Sequence, residues 1–534
     1  MIENLVDVWL TEASERSYEA AFGQLLVIEG HRVIQGPMHH AHEHGKDIIA
    51  WDSAGDLCAY QLKGGSGRLD VPRIEALKEQ LSTAAEAIIR HPSLPDSRLP
   101  DRVFLVTNQA ATGPAQDRIS VLSDGNRHRG LAPLHLIERA ELTSRFVAAQ
   151  RSFFPGSPGA LNAFLALFLA DGRGELPRQE FFRLLQDILP VIGRKPKAAA
   201  AARAISAAAL TTALALRKWA DDGNHAEVVV GWICFATQIL RVAEKYSLGR
   251  ARWHAAYRLA LEEARRNARQ LLEEALAAED LVVPDPAEPL VHSARAVKVC
   301  GLVSAFSISQ RIEFGVCHEY RGSAGQLVLR EFDCLRIVGE VQAPDYFLSI
   351  LAVNETGRYP VARTMLLSWV RSVARANKPG STAPLPDPYH SVEDIILDSL
   401  PPEGTILADE TFSGTAYTVE IGVRWATRRL WRQSLNAMWG DVSRLSHHRF
   451  NPAQPSDYFV PRSDRGRWAS RFYPTPTRWS DLRAEAEEHE VAALPGTLRR
   501  CPEFVPFYCL ALPHRFNAVV ADFLDELASH GRVS

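Results

Sequence analysis

The chain has 534 residues, of which 46% are hydrophobic and 23% charged, and its formal net charge is -3. This length exceeds that of one typical domain of about 100 to 200 residues, and the composition excludes a disordered or collagen-like chain. The near-neutral charge excludes a generally polyanion-binding protein, so any nucleic-acid surface must be local. The seven cysteines form no CxxC pair. We therefore expect a cytoplasmic protein with neither a disulfide framework nor a zinc ribbon.

The first 150 residues alternate helical and strand patterns. The predicted elements are a helix over Ser17–Glu29, strands in HRVIQG, DIIAW and LCAYQLK, a helix opened by Pro72, a strand in DRVFLVTN, a helix in GPAQDRISVLSD and a strand in APLHLIE. The sequence DSAGD between the second and third strands suits a hairpin turn. The order αβββαβαβ predicts an α/β domain over residues 1–150.

The remainder of the chain is dominated by the helical period. Residues 155–280 predict a helical domain, and residues 291–534 predict a mostly helical C-terminal region that could act as a sensor or bind a partner. The proline-rich stretch 281–290 marks the boundary between them. No run reaches 18 uncharged apolar residues, so we expect no membrane association and interpret the alanine-rich segment 197–216 as a buried helix.

Polar side chains converge on the predicted hairpin. Gln61 and Lys63 lie on one face of their strand because side chains alternate, and folding the hairpin brings Asp47 beside them. Glu19, near the start of the first helix, could add a second carboxylate. Carboxylate and amide oxygens are ligands that Mg²⁺ accepts, and a lysine could stabilise a phosphate as its negative charge grows. The pattern therefore predicts phosphodiester hydrolysis.

The pattern of Glu19, Asp47, Gln61 and Lys63 resembles the PD-(D/E)xK nuclease superfamily, and the glutamine resembles its Mrr-like restriction endonuclease branch. The resemblance covers residues 1–150 and implies a restriction-endonuclease-like αβββαβ core. It implies that Asp47, Gln61 and Glu19 bind Mg²⁺, with Mn²⁺ as a substitute, and that Lys63 assists the attack on the phosphodiester. Gln61 departs from the acid commoner in the family, which weakens metal binding.

The resemblance implies a metal-dependent DNA endonuclease, and the long remainder suggests the effector of a bacterial restriction or anti-phage defence system. We expect DNA as its partner, with a regulatory protein or self-association restraining it. The alternatives are a catalytically silent nuclease fold that binds nucleic acid or a protein, and a DNA-repair nuclease. From the residues alone, an ordinary α/β domain and an exposed first-turn Glu19 remain open.

Two weaker patterns stand apart from this site. The histidines of MHHAHEHG match no zinc spacing, so a solvated loop is favoured over a transition-metal site. Between Arg424 and Arg483, arginines alternate with aromatic residues, a composition that suits phosphates and stacked bases. The alternative is structural, because arginine is the default cation of this chain. The most loop-like part of this tract, RSDRGRW, makes Arg462, Arg465 and Arg467 the predicted nucleic-acid-binding residues.

Overall fold

The computed structural model describes most of the chain. The described residues are 6–7, 10–11, 15–35, 46–65, 67–91, 94, 96–153, 157–189, 196–278, 289–315, 319–398, 412–461, 468–488 and 494–530. Contacts group the chain into two compact units. The N-terminal unit comprises Met1–Ala170, Arg183–Lys218 and Leu248–Leu259, and the helical unit comprises Asp171–Phe182, Trp219–Ser247 and Ala260–Ser534.

A five-stranded mixed sheet forms the centre of the N-terminal unit, with strand order β1-β2-β3-β5-β7. Strands β1 to β3 are antiparallel, whereas β3, β5 and β7 run parallel. The elements are α1 (Glu15–Ile28), β1 (Arg32–Gln35), β2 (Ile48–Trp51), β3 (Leu57–Lys63), β4 (Arg68–Leu69), α2 (Val71–Glu86), β5 (Arg102–Thr107), β6 (Ala110–Ala111), α3 (Gly113–His128), β7 (Leu134–Ile137) and α4 (Arg139–Phe153). This order confirms the predicted α/β N-terminal region.

The β2–β3 hairpin closes through the side chain of Asp52. Its Oδ1 accepts hydrogen bonds from the backbone N–H groups of Ala54 and Asp56, each at 2.9 Å, and Gly55 supplies the left-handed backbone at a φ of 93°. In the resulting register Ile48 pairs with Tyr60 and Trp51 with Leu57. The predicted hairpin turn is therefore confirmed, and it fixes which residues of β2 and β3 face each other.

Helices cover both faces of this sheet. On one face α1 packs Phe22 and Leu25 with Tyr60 and Leu62 of β3. On the other face Ala59 and Leu105 pack in one cluster with side chains of α2 and α3. Because neighbouring residues of β3 alternate between these faces, Gln61 and Lys63 share the face of Ala59, whereas Leu62 lies on the face of α1.

A helix distant in sequence completes the α1 side. The helices beyond α4 are α5 (Pro158–Phe168), α6 (Arg178–Ile188) and α7 (Ala198–Ala215). Ala207 and Leu210 of α7 belong to the same core cluster as Phe22 and Leu25. The sequence predicted consecutive domains with a boundary at 150–155. In the structure, residues 183–218 group with the N-terminal unit, because α7 packs on α1.

The helical unit confirms the mostly helical remainder. Its elements, with those that connect to it, are α8 (Arg217–Asp221), α9 (His225–Tyr246), α10 (His254–Ala277), α11 (Pro289–Phe314), α12 (Ser323–Arg330), α13 (Ala343–Glu355), α14 (Tyr359–Ala376), α15 (Val392–Asp398), β8 (Thr415–Ala416), α16 (Val419–Arg428), α17 (Arg432–Asn436), α18 (Trp439–Val442), β9 (Ser446–Phe450), β10 (Trp468–Arg471), α19 (Trp479–Glu487), α20 (Gly496–Arg499), α21 (Val505–Ala511) and α22 (Ala518–His530).

The helical unit also contains a small three-stranded sheet of order β10-β9-β8. The sequence predicted a mostly helical region here and no strand, so this sheet was missed. Their sequences, SHHRF and WASR, lack the β-branched residues that usually mark a strand, and their backbone pairing with each other decides the conformation.

Two helices, α7 and α9, are long and apolar enough to cross a membrane by length and composition alone. In the structure, 61% of the apolar window of α7 and 89% of that of α9 are buried within the protein. The core helices of folded proteins commonly show this pattern.

Candidate functional site

Asp47 and Gln61 meet at the end of the hairpin where β2 begins and β3 ends. Asp47 donates its backbone N–H to the carbonyl of Tyr60 at 2.9 Å, which continues the register of the two strands. Its Oδ2 accepts hydrogen bonds from Gln61 Nε2 at 2.8 Å and from the Leu62 N–H at 2.6 Å. The predicted convergence of this carboxylate and this amide is therefore present in the structure.

The amide oxygen of Gln61 is the unusual atom of this pair. Gln61 is only 3% exposed, and its Oε1 is one of several buried side-chain atoms that have no hydrogen-bond partner among the described residues. An unpaired buried acceptor costs about 1–3 kcal/mol, so such an atom calls for an explanation. A bound cation would supply the missing partner.

Lys63 ends β3 two residues after Gln61 and on the same face of the sheet. It is partly exposed and pairs in register with Thr107 of the parallel strand β5. The hydroxyl of Tyr18 donates to the carbonyl oxygen of Lys63, with 3.0 Å between the two oxygens, and lies 3.2 Å from that of Val106. This contact holds the end of β3 from the α1 side. By strand alternation, the side chain of Lys63 lies on the opposite face of the sheet.

Glu19 lies beside Tyr18 on α1, at the level of the carboxyl ends of β3 and β5. It is only 5% exposed, so the alternative of an exposed first-turn residue is wrong. Helix α1 covers the face opposite to Gln61 and Lys63. A role for Glu19 as a ligand therefore requires its carboxylate to reach around the strand end, and this role stays a prediction.

Lys46, the residue directly before Asp47, was not among the predicted site residues. Lys46 is 3% exposed, and burial lowers the pKa of its ammonium group to about 8. By strand alternation it lies on the α1 face, opposite Leu62. The sequence did contain one indication of this residue. The chain has nine lysines and 51 arginines, so each lysine is unusual.

Buried amides line the neighbouring end of β5. Asn108 and Gln109 are 2% and 4% exposed, and Asn108 Oδ1 accepts the N–H of Gly65 at 3.2 Å. A β-carbon on Gly65 would lie 3.2 Å from the Gln109 amide, so the loop after β3 passes close to this side chain. Parallel strands bring their carboxyl ends to one edge, where ligands of α/β proteins commonly bind.

Few acidic side chains that could bind a metal lie at the carboxyl ends of β3 and β5. Within the described residues, no three side chains of His, Cys, Asp or Glu lie close enough to hold a metal ion. The donors that fit a hard cation are instead the Asp47 carboxylate and the Gln61 amide oxygen. Magnesium commonly binds through one or two carboxylates and retains several waters, so this donor set suits Mg²⁺ better than zinc. The histidine-rich segment 39–44 lies outside the described residues.

Only part of the arginine- and tryptophan-rich tract is internal to the helical unit. Five of its arginines are exposed, namely Arg432, Arg444, Arg449, Arg478 and Arg483. Asp522 pairs with Arg424 at 2.6 Å and with Arg428 at 2.7 Å, and Asp525 pairs with Arg429 at 2.7 Å. The guanidinium of Arg429 also lies 3.7 Å from the ring centre of Trp425, which is 2% exposed. These pairs support the structural alternative for this part of the tract. Arg462, Arg465 and Arg467 lie outside the described residues.

No protein-family model, curated protein or solved structure matches this chain.

Proposed function

We propose that the N-terminal unit is a metal-dependent nuclease of the PD-(D/E)xK type that hydrolyses phosphodiester bonds in DNA. The observation that carries this proposal is the buried, unpaired Oε1 of Gln61, on the side chain whose Nε2 binds the carboxylate of Asp47. Two oxygen donors can hold a metal ion, and a lysine two residues further on the same strand face can stabilise charge on a phosphate, so these groups suit metal-assisted phosphodiester hydrolysis.

The residues have distinct roles in this proposal. Asp47 and Gln61 would hold a Mg²⁺ or Mn²⁺ ion, with Glu19 as a further ligand. When bound, such an ion would lower the pKa of a coordinated water and neutralise charge on the phosphate. Lys63 stabilises the negative charge that grows on the phosphate oxygens in the transition state. The hydrogen bond from Tyr18 holds the Lys63 carbonyl, so the backbone that carries this lysine is fixed before substrate binds.

The size of the remainder suggests regulation. The helical unit extends through Ala260–Ser534 and is much larger than hydrolysis by the sheet requires. A nuclease in a living cell must be restrained, so we propose an effector of a bacterial restriction or anti-phage defence system. In this proposal a regulatory partner or self-association releases the activity.

A second candidate is a catalytically silent nuclease fold that binds nucleic acid or a protein. The scarcity of acidic residues favours it, because the described part of the chain contains no cluster of three metal-ligating side chains. The two candidates differ in one property, which is metal-dependent cleavage.

The test is cleavage of supercoiled plasmid by the full-length protein with Mg²⁺ or Mn²⁺, with and without EDTA. We expect weak nicking, because the isolated protein is restrained in this proposal. EDTA should abolish the nicking, and it should be lost in Lys63→Ala and in the nearly isosteric Asp47→Asn. Lys78→Ala is the matched control, because Lys78 is an exposed lysine on α2 of the same unit. Cleavage that survives both site variants contradicts the assignment of the site, and a wild-type protein that binds plasmid without cutting it supports the silent fold.

A further inference from the structure

Lys46 is a buried cation at the edge of the sheet that carries the Asp47–Gln61 pair. Continuing the register of β2 and β3 by two residues places Lys46 opposite Leu62, on the face covered by α1, whereas Gln61 and Lys63 lie on the opposite face. Two lysines therefore flank the same strand ends, one on each side of the sheet. Lys46 is the more deeply buried of the two, since only 3% of its surface is exposed.

No carboxylate of the described residues forms an ion pair with Lys46, although only 3% of its surface is exposed. Lysines are almost never buried without a partner, because removing the ammonium from water is costly. Folding alone would favour an apolar residue here, so the cost points to a function.

We propose that Lys46 binds a phosphate of the DNA strand next to the phosphate that is cleaved. This inference rests on the proposed nuclease function and adds a strand-binding residue to it. Lys63 acts on the cleaved phosphate from one face of the sheet. Lys46 contacts the adjacent phosphate from the other face, so the strand crosses the edge of the sheet at Asp47.

The chemistry of lysine suits this position. A lysine ammonium is a compact point charge on a flexible apolar stem, and the stem can lie in the core while the nitrogen reaches the strand end. A phosphate oxygen would supply the anionic partner that the described residues do not. The contact is electrostatic, so it contributes affinity without selecting a base sequence.

The experiment measures binding of the full-length protein to a fluorescein-labelled DNA duplex by anisotropy, in EDTA and over a series of salt concentrations. The variants are Lys46→Met, Lys46→Arg and, as a matched control, Lys78→Met on the exposed face of α2. We expect Lys46→Met to raise the Kd about tenfold or more and to reduce the salt slope by about one, because one phosphate contact is lost. Lys46→Arg should recover most of the affinity, and the control should bind as the wild type does.

Thermal unfolding separates this role from a structural one. If Lys46 serves the substrate, Lys46→Met should unfold at the same temperature as the wild type or higher, because a buried charge is replaced by an apolar chain. Unchanged affinity and salt slope in Lys46→Met overturn the inference. Weaker binding together with a lower unfolding temperature also overturns it, unless Lys46→Arg restores binding.

These outcomes are distinct from those that test the nuclease proposal. A wild-type protein that binds the duplex but cuts nothing contradicts catalysis, and the Lys46 variants still decide the binding role. A Lys46→Met protein that binds as the wild type does, while Lys63→Ala abolishes cutting, removes the Lys46 inference and leaves the nuclease proposal standing. A wild-type protein that does not bind DNA rejects both.

Discussion

The side chains of Gln61 and Asp47 are joined across two antiparallel strands, with 2.8 Å between Gln61 Nε2 and Asp47 Oδ2. This contact uses the donor of the amide and leaves its oxygen buried and unpaired. The glutamine therefore does two things that an acid could not do without metal: it holds the carboxylate in place and presents a neutral oxygen beside it. A site built this way can exist before the cation binds, since no second negative charge has to be neutralised.

Gln61→Glu tests that interpretation. The substitution places two carboxylates at hydrogen-bonding distance, so without metal it should destabilise the protein by about 1–3 kcal/mol. Added Mg²⁺ should restore the lost stability, since the cation offsets the repulsion and binds the folded state. The measurement is the unfolding temperature with EDTA and over a series of Mg²⁺ concentrations. The control is the double variant Asp47→Asn, Gln61→Glu, which lacks one of the two carboxylates. If Mg²⁺ changes the unfolding temperature of Gln61→Glu no more than that of the double variant, the result argues against a metal site.

The sequence was sufficient for the hairpin and the pair it creates. DSAGD identified the turn, and strand alternation then placed Gln61 and Lys63 on one face with Asp47 beside them. The burial of Glu19 and Lys46 could not be deduced, because it depends on helices that cover the strand ends. A sequence pattern shows which residues share an element, but not which element covers them.

The long-range packing of α7 could not be predicted for a related reason. The alanine-rich helix α7 was correctly expected to be buried, yet its partner is α1, more than 170 residues earlier in the chain. Small residues such as Ala207 permit close helix packing but carry no information about which helix approaches. The pairing of β9 with β10 was missed likewise, since its backbone hydrogen bonds connect residues with no strand signature.

The packing of α7 on α1 changes what a truncated N-terminal unit should do. A fragment of residues 1–150 leaves the α7-facing side of Phe22 and Leu25 exposed, whereas a fragment of residues 1–218 retains Ala207 and Leu210. We expect the longer fragment to be soluble and to unfold cooperatively, and the shorter one to aggregate or to expose apolar surface that binds a hydrophobic dye. A soluble, cooperatively folding 1–150 fragment would show that α7 is dispensable for the sheet.

The helical unit should lose stability as pH rises toward neutrality. Burial raises the pKa of Asp345 to about 7, although Arg178 and Lys298 act in the opposite direction. Between about pH 4 and pH 7, Asp345 is therefore protonated in the folded state and ionised in the unfolded chain. The free energy of unfolding falls over this range as pH rises and is constant above it. Burial raises the pKa of Glu340 to about 7 as well, which gives a second group with the same sign.

Asp345→Asn isolates the first of these groups. The variant cannot ionise, so it should be more stable than the wild type at pH 8, by up to about 4 kcal/mol, and should approach it near pH 4. Tryptophan fluorescence during thermal unfolding follows the transition, because most of the tryptophans belong to the helical unit. If Asp345→Asn were more stable than the wild type by the same amount at pH 4.5 and at pH 8, the effect would come from packing against Gly301, where a β-carbon would clash with Asp345 Oδ1.

Arg424, Arg428 and Arg429 form ion pairs within the helical unit, so the predicted nucleic-acid surface is tested at Arg462, Arg465 and Arg467 instead. Replacing these last three residues with alanine should weaken DNA binding and reduce the salt slope by up to about three, since each lost phosphate contact removes roughly one released counterion.

The unfolding temperature of this triple variant should stay near that of the wild type. Arg428→Ala is the contrasting control, because it breaks the 2.7 Å pair with Asp522, whose carboxylate is nearly buried. It should lower stability, by about 1–3 kcal/mol, without changing the salt slope. If the triple variant retains the affinity and salt slope of the wild type, the 462–467 segment has no contact with DNA, and the arginines of the tract serve the structure of the helical unit or a protein partner.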